Sequence, residues 1–381
     1  VSQESYQASD GSASPKLQLH NQRLWWSAAP EGDCGLEIEL LILQQLLGML
    51  IMKRYIVEKT MDDLMQEAYT LIIDEGLSIS PSKGDAKEIF GCLLELTNPR
   101  ARVSRSQSRQ RIISALGELL WYLSGSDDVD QIAHYVDYYK KDPSLSIDGH
   151  VTGAYGPRLF NFDGINQLQN VVDRLRTNPD SRNAVIQVFD HQDTENAPCT
   201  LALQFVIREG KLLLMVSMRS NDVYLGLPHD LFAFTMLQEL VARSLGIEPG
   251  SYFHSVGSFH LYEQNESAAG SYLAEGWQDE AAMPVMPLGD PWDDIRELLR
   301  LEEEIRLCER LELTNLKLPA DLYWRDLAYL LCVLKLLRES RVSDIPSVSA
   351  NIESKYFREI LLERIDKELW KESSVSERRQ G

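Results

Sequence analysis

Cys199 follows Pro198 at the entrance to a β-patterned run, APCTLALQF, and the run after it ends in MRSND. If the two runs pair as a hairpin, Arg219 returns towards Cys199, and a guanidinium near a thiol favours the thiolate, the nucleophilic form. The competing reading makes Cys199 a small buried hydrophobe. Glu118 lies inside the apolar stretch GELLWYL; it reads either as an ordinary solvated helix charge or, on so apolar a face, as a carboxylate with a role. Asp230 closes RSNDVYLGLPHD, after a glycine and a proline. It either reads a ligand or caps a helix beginning at Leu231. Cys34, Cys92, Cys308 and Cys332 are scattered without a CxxC pair, which predicts a reduced chain with no structural zinc and no other metal.

These residues need a frame. Apolar positions at helical spacing (Met61, Leu64, Ala68, Leu71) predict a helix from Met52 to about Gly76, followed by a polar loop, SISPSKGDAKEIFG. Residues 105–124 and the stretch GINQLQNVVDRLRT carry further helical stripes, the second stopped at Asn178-Pro179. NAVIQVFD, TLALQFVIREGKLLLMVSMRS and SYFHSVGSFHLYEQ are rich in β-branched, aromatic and aliphatic residues, with Glu209-Gly210 as a hairpin turn. A long helix runs from Leu231 to Gly246. Strands and helices mix without regular βαβ alternation, which predicts an α+β fold with a mixed sheet packed by helices.

The 381 residues are 44% hydrophobic, enough for a large core. Thirty-eight Lys and Arg against 58 Asp and Glu give a net charge of -20, which argues against a nucleic-acid binder. The run from Leu36 to Met52 is too short and too interrupted to span a bilayer, and too far in for a signal peptide, so a cytoplasmic, membrane-free protein is expected. Residues 1–51 read as a poorly ordered leader, or a misread upstream segment, before a start at Met52, residues 52–285 as the catalytic domain, and residues 286–381 as a separate helical appendage.

The stretches GELLWYLSG, GAYGPR, NPDSR, APCT, MRSNDVYLGLPHD and GSFHLY occur in the order and spacing of the thymidylate synthase superfamily. Over about residues 52–275 the chain resembles that superfamily, and within it the pyrimidine hydroxymethylase branch. The resemblance implies a thymidylate synthase-like fold, a pyrimidine nucleoside monophosphate substrate and 5,10-methylenetetrahydrofolate as cosubstrate. It makes Cys199 the nucleophile at C6 of the pyrimidine, Glu118 the acid/base glutamate and Tyr155 the tyrosine of the water network near C5. Arg219 and Ser220 become phosphate ligands, a guanidinium fork and a hydroxyl suiting that group. Arg182 becomes an arginine that crosses a homodimer interface into the partner's site. Asn183 stands where a second arginine is usual, and Lys83 in SPSKGD is a candidate supplement. His260 and Tyr262, two apart on one strand face, bond the sugar 3′-hydroxyl; Asp222 holds the pterin and Gly226 lets backbone approach base and folate.

The family's uracil-specific synthases carry asparagine at the position of Asp230, a donor and an acceptor for the O4 and N3–H edge. An ionised aspartate offers acceptors only and suits the N4 amino group of cytosine. A mismatched buried pair costs about 1–3 kcal/mol. This predicts a cytidylate substrate, dCMP or CMP, with Asp230 both substrate-binding and catalytic. The stretch before GAYG, YYKKDPSLSIDGHVTGAYG, lacks the tryptophans that pack over the cofactor in thymidylate synthases, and the usual closing tail is replaced by the appendage. Both departures favour water over hydride in the second step, hence hydroxymethylation. The alternatives are a thymidylate synthase methylating dUMP and an inactive homologue serving as an interaction protein.

Overall fold

In the computed structural model, residues 54–106, 109–193 and 197–362 are described. The leader expected over residues 1–51 and the end of the chain beyond residue 362 lie outside them. β1 (Tyr55–Glu58) leads into α1 (Met61–Glu75), β2 (Leu77–Ile79) and β3 (Ala86–Leu96). There follow α2 (Ile112–Leu123), α3 (Val129–Ala133), α4 (Tyr138–Lys141), the two-residue strands β4 (Ser146–Ile147) and β5 (His150–Val151), α5 (Tyr155–Phe160) and α6 (Gln167–Thr177). The strand-rich centre is β6 (Ala184–Gln187), β7 (Thr200–Arg208) and β8 (Lys211–Asp222), then α7 (Leu227–Ser244), β9 (Glu248–Tyr262) and α8 (Glu263–Ala274). α9 (Trp292–Leu307), α10 (Leu322–Arg338) and α11 (Ile345–Ser349) come last.

The main sheet has the order β1-β3-β9-β8-β7-β6, with β2 added to β3. β1 and β3 are parallel, as are β8 and β9, and the other pairs are antiparallel. This is the mixed sheet of an α+β protein. One row of partners, Ile56, Leu94, His254, Val216, Leu203 and Ile186, crosses six strands and is at most 7% exposed. The neighbouring row, Val57, Glu95, Phe253, Met215, Gln204 and Val185, has no buried member, and its Val57 and Val185 are 43% and 44% exposed. Side chains alternate across a strand, so these two rows are its two faces. α1 packs on β1 and β3 and α7 on β8 and β9, covering the first face. The second is open and partly apolar.

Three local expectations change. The helix predicted from Met52 starts only at Met61, where Thr60 caps it by accepting from the Asp63 N–H at 3.0 Å; before it runs a strand. The predicted loop SISPSKGDAKEIFG is half strand, because β3 begins at Ala86. α7 begins at Leu227, four residues early, with Pro228 in its first turn, where a missing N–H is no loss.

The compositional break near residue 286 is not a break in packing. The described residues form one compact unit, and α9 and α10 both lie on α2. Trp324, Leu327 and Leu331 of α10 are buried, and the Tyr323 hydroxyl reaches the sulfur of Met236 in α7 at 3.8 Å. Truncating a buried tryptophan typically costs about 3–5 kcal/mol. Trp324→Ala should therefore lower the urea midpoint in a single transition seen alike by far-UV and near-UV circular dichroism. A biphasic curve would mean that the extension unfolds on its own.

Candidate active site

The β7–β8 hairpin brings Arg219 back to Cys199, whose carbonyl accepts from the Arg219 backbone N–H at 2.8 Å. The guanidinium turns onto the backbone before the cysteine, donating from Nε to the Pro198 carbonyl at 3.1 Å and from Nη2 to that of Ala197 at 2.6 Å. Burial pushes the Cys199 thiol above its ordinary value; Arg219 and Lys83 pull it down, Asp230 pushes it further up, and the net is a rise. The activation by Arg219 expected from the sequence is thus present in sign but outweighed by desolvation. Tyr155, first residue of α5, has its hydroxyl anchored next to Cys199, accepting from Thr200 N at 3.3 Å and Thr200 Oγ1 at 3.0 Å.

Glu118 faces this cluster from α2 with both oxygens engaged. Oε1 accepts from the hydroxyls of Tyr122 (3.0 Å) and Tyr139 (3.1 Å), and Oε2 pairs with Nδ1 of His229 at 2.6 Å. Burial alone would raise this carboxyl, but the hydrogen bond and charge of His229, then the two phenols, hold it below the ordinary carboxylate range. Tyr139 comes from the stretch without tryptophan. It packs edge-on against Trp121 at 5.5 Å, so an aromatic wall is present with a polar tip.

Asp230 sits inside the first turn of α7, not ahead of it, and the cap position is Gly226; the capping role considered for Asp230 does not hold. Its Oδ2 accepts from Nδ2 of Asn221 at 2.7 Å. Burial and the charges of Glu118 and Asp222 push its carboxyl well above the usual range, with Asn221 opposing. The ionised, acceptor-only aspartate expected from the sequence is accordingly disfavoured in the free pocket. Gly226 has an ordinary φ of -80°, and its value is space: a Cβ there would lie 3.0 Å from Asn221 Nδ2 and 3.5 Å from Asp230 Oδ2. The close approach it permits is made by this side-chain pair.

Asp222 ends β8 in register with His260 of β9. Its Oδ1 accepts from the N–H groups of Tyr224 (2.8 Å) and Leu225 (3.3 Å), and its second oxygen makes no hydrogen bond among the described residues. Burial raises its carboxyl, against those N–H groups and His260. His260 and Tyr262 meet edge to face at 4.9 Å, and Tyr262 shares the electrostatic surroundings of Cys199 and Asp222. Ser220 is half-buried on β8 opposite Ser258. Lys83 also acts on Cys199 and Tyr262, while its ammonium donates to the Tyr138 hydroxyl at 2.8 Å and lies 3.6 Å from Asp142.

Arg182 is not brought to this cluster. It precedes β6, whose register with β7 (Ala184 opposite Phe205) sets it roughly 25 Å from Cys199 at about 3.3 Å per residue. It is exposed, and its guanidinium makes no hydrogen bond or ion pair among the described residues.

Sequence reasoning missed Tyr122, Tyr139, His229 and Asn221. Tyr122 carried a signal, its i, i+4 spacing from Glu118 on a helix. His229 and Asn221 stand inside the quoted RSNDVYLGLPHD, but their partners lie in other elements. Among the described residues no group of His, Cys, Asp and Glu could hold a metal, and no helix is long and apolar enough to cross a membrane.

A cysteine, a tyrosine and three carboxyl groups thus converge at the end of a mixed sheet, side chains of the types that nucleophilic and acid/base chemistry uses. The thymidylate synthase family model matches residues 100–299, more than half of the chain, and the chain belongs to that family. One similar protein is the deoxyuridylate hydroxymethyltransferase of Bacillus phage SP01, 33% identical over 218 residues, which are 52% of this chain and 56% of that protein. The chain thus spans little more than half of that relative.

A half-buried thiol with a raised pKa should react slowly with iodoacetamide at neutral pH. The rate at Cys199, followed by peptide mass spectrometry, should climb about tenfold per pH unit through pH 9 while the thiolate is the minor form. A rate already at its plateau at pH 7 would contradict the desolvated thiol.

Proposed function

We propose that the protein transfers a one-carbon unit from 5,10-methylenetetrahydrofolate to C5 of a cytidine monophosphate, dCMP before CMP, and completes the reaction with water to give the 5-hydroxymethyl nucleotide and tetrahydrofolate. The observation that carries this reading is Asp230, a carboxyl in the place of an amide, within the electrostatic reach of Cys199, Tyr155 and Glu118. An N4 amino group is the donor that would make its ionised form favourable on binding.

Cys199 adds its sulfur to C6 and leaves C5 electron-rich. The folate supplies the methylene carbon. Tyr155 and Glu118, with its phenols, organise the water that takes the C5 proton. Addition of water to the exocyclic methylene and cleavage of the C6–S bond return Cys199 and complete a product heavier by CH2O. Arg219, Ser220 and Lys83 serve the phosphate, His260 and Tyr262 the sugar, and Asp222 with Gly226 the folate side. The hydroxyl-lined and imidazole-lined wall around Glu118 supports a wet second step rather than a dry hydride transfer. The hydroxymethyltransferase relative supports the same choice.

A homodimer is part of this proposal. The open, partly apolar sheet face is suited to a second copy, and Arg182, remote from its own Cys199, is free to enter the partner's site. A cytoplasmic location goes with it. A second reading, action on dUMP, is favoured by the relative's name and by the raised Asp230 carboxyl, whose neutral form could donate to O4.

Incubation with dCMP, CMP or dUMP and methylenetetrahydrofolate, with product mass and dihydrofolate absorbance as readouts, separates these readings. The expected result is a gain of CH2O on dCMP without dihydrofolate, lost in Cys199→Ala. Dihydrofolate formed with dUMP would establish a thymidylate synthase instead, and nucleotide binding without turnover an interaction protein. In His229→Phe, Glu118 loses the partner that opposes its burial most, so its carboxyl rises. Activity that needs the carboxylate disappears as pH falls through that pKa, and the acid limb of kcat/KM should move to higher pH. An unmoved limb would remove His229 from the charge state of Glu118.

A further inference from the structure

His254 is the one polar member of the buried row across the sheet, and it is fully enclosed. Its Nδ1 lies 2.8 Å from the hydroxyl of Tyr252, also fully buried, and its Nε2 lies 3.2 Å from Oδ1 of Asn221. The amide of Asn221 continues to Oδ2 of Asp230. A line of four side chains thus runs from the core of the sheet to the pocket, Tyr252–His254–Asn221–Asp230.

Its direction follows from counting donors. His254 is the only hydrogen-bond partner of the Tyr252 hydroxyl among the described residues. A buried O–H left without an acceptor costs about 1–3 kcal/mol. Tyr252 therefore donates to Nδ1, and the neutral imidazole, which burial holds down to a pKa of about 3, carries its proton on Nε2. That N–H donates to the carbonyl oxygen of Asn221, and the amide nitrogen is left to donate to residue 230. Reversing the line would orphan the tyrosine proton.

We infer that Asn221 is a specificity-positioning residue: held in one orientation by His254 and Tyr252, it always presents an N–H to residue 230 and so decides which atom of that residue faces the base. With aspartate, Oδ2 is taken by Asn221 and Oδ1 is turned to the ring edge. With asparagine, the carbonyl is drawn to Asn221 and the NH2 group is turned to the base, a donor that fits O4 of uracil and opposes N4 of cytosine. The side chain at 230 is then read through its partner, not alone. This rests on the pyrimidine nucleotide reading above, and deepens it.

The test is a two-by-two set of full-length proteins, wild type, Asp230→Asn, Asn221→Ala and both together, each measured for kcat/KM and dissociation constant with dCMP and dUMP. Asp230→Asn should shift the dCMP-to-dUMP ratio towards dUMP by about tenfold or more. Asn221→Ala should bring the ratio to within about threefold of unity in either background, so the two changes are non-additive in the ratio. Tyr252→Phe, with no atom in the pocket, should relax the ratio in the same direction while leaving the protein folded by circular dichroism, which covers the case of an unstable Asn221→Ala. Ratios that change additively, or a Tyr252→Phe ratio equal to wild type, would overturn the inference. A wild type that prefers dUMP, or binds without turnover, would overturn the proposed substrate or activity instead, and the coupling would still be read from the dissociation constants.

Discussion

Glu118, Asp222 and Asp230 are three neighbouring carboxyl groups, and the charges of the first two both disfavour that of Asp230. The architecture around the pocket is organised by that constraint. Glu118 receives two phenols and an imidazole, and its charge is favoured in spite of burial. Asp222 receives two backbone N–H groups from the turn after β8. Asp230 receives the Asn221 amide and a place in the first turn of α7, where the helix dipole favours negative charge. Its compensation is the smallest of the three, and its carboxyl is the one held furthest from the charged form.

These compensating groups come from four places in the chain, and the sheet brings them together. β8 delivers Asn221 and Asp222 at its end, and the turn of Gly226 folds α7 back so that Asp230 meets Asn221. β9, parallel to β8, sets His260 beside Asp222 and His254 deeper in the same sheet. The β7–β8 hairpin returns Arg219 to Cys199. The turn between these strands has Glu209 and Gly210 both at positive φ, 51° and 73°, as a tight hairpin with the right twist requires.

Much of this was legible before any coordinates. β7, β8 and β9 are long runs of strand-forming residues with clear turns, and the mixed class follows from them. β1 and β3 were not legible, because β3 carries Lys87, Glu88 and Gly91 and reads as a loop until its pairing with β9 is known. The start of α7 was hidden by Gly226 and Pro228, which locally signal a turn. Cys199 and the carboxyl groups were legible as residue types in motifs. Their protonation was not, since the Arg219 effect on Cys199 is smaller than a burial that only the folded chain creates. The relay behind Asp230 was invisible for a similar reason: His254 and Asn221 are far apart in sequence and adjacent only across the sheet.

The C-terminal helices belong to the same argument. Glu302 of α9 is buried and accepts from the Tyr135 hydroxyl and from Arg306 Nε, each at 2.7 Å. The ring of Tyr135 lies against Gly117, where a Cβ would fall 2.0 Å from its Cγ, so no larger residue fits there. Gly117 immediately precedes Glu118 on α2. The extension therefore presses, through one tyrosine, on the turn of helix that holds Glu118. Buried side chains that interlock at this density transmit displacement instead of absorbing it. A shift of α9 relative to α2 would move Glu118 against the phenols and the imidazole that keep it charged, which makes the added helices part of the support for the chemistry as well as for the core.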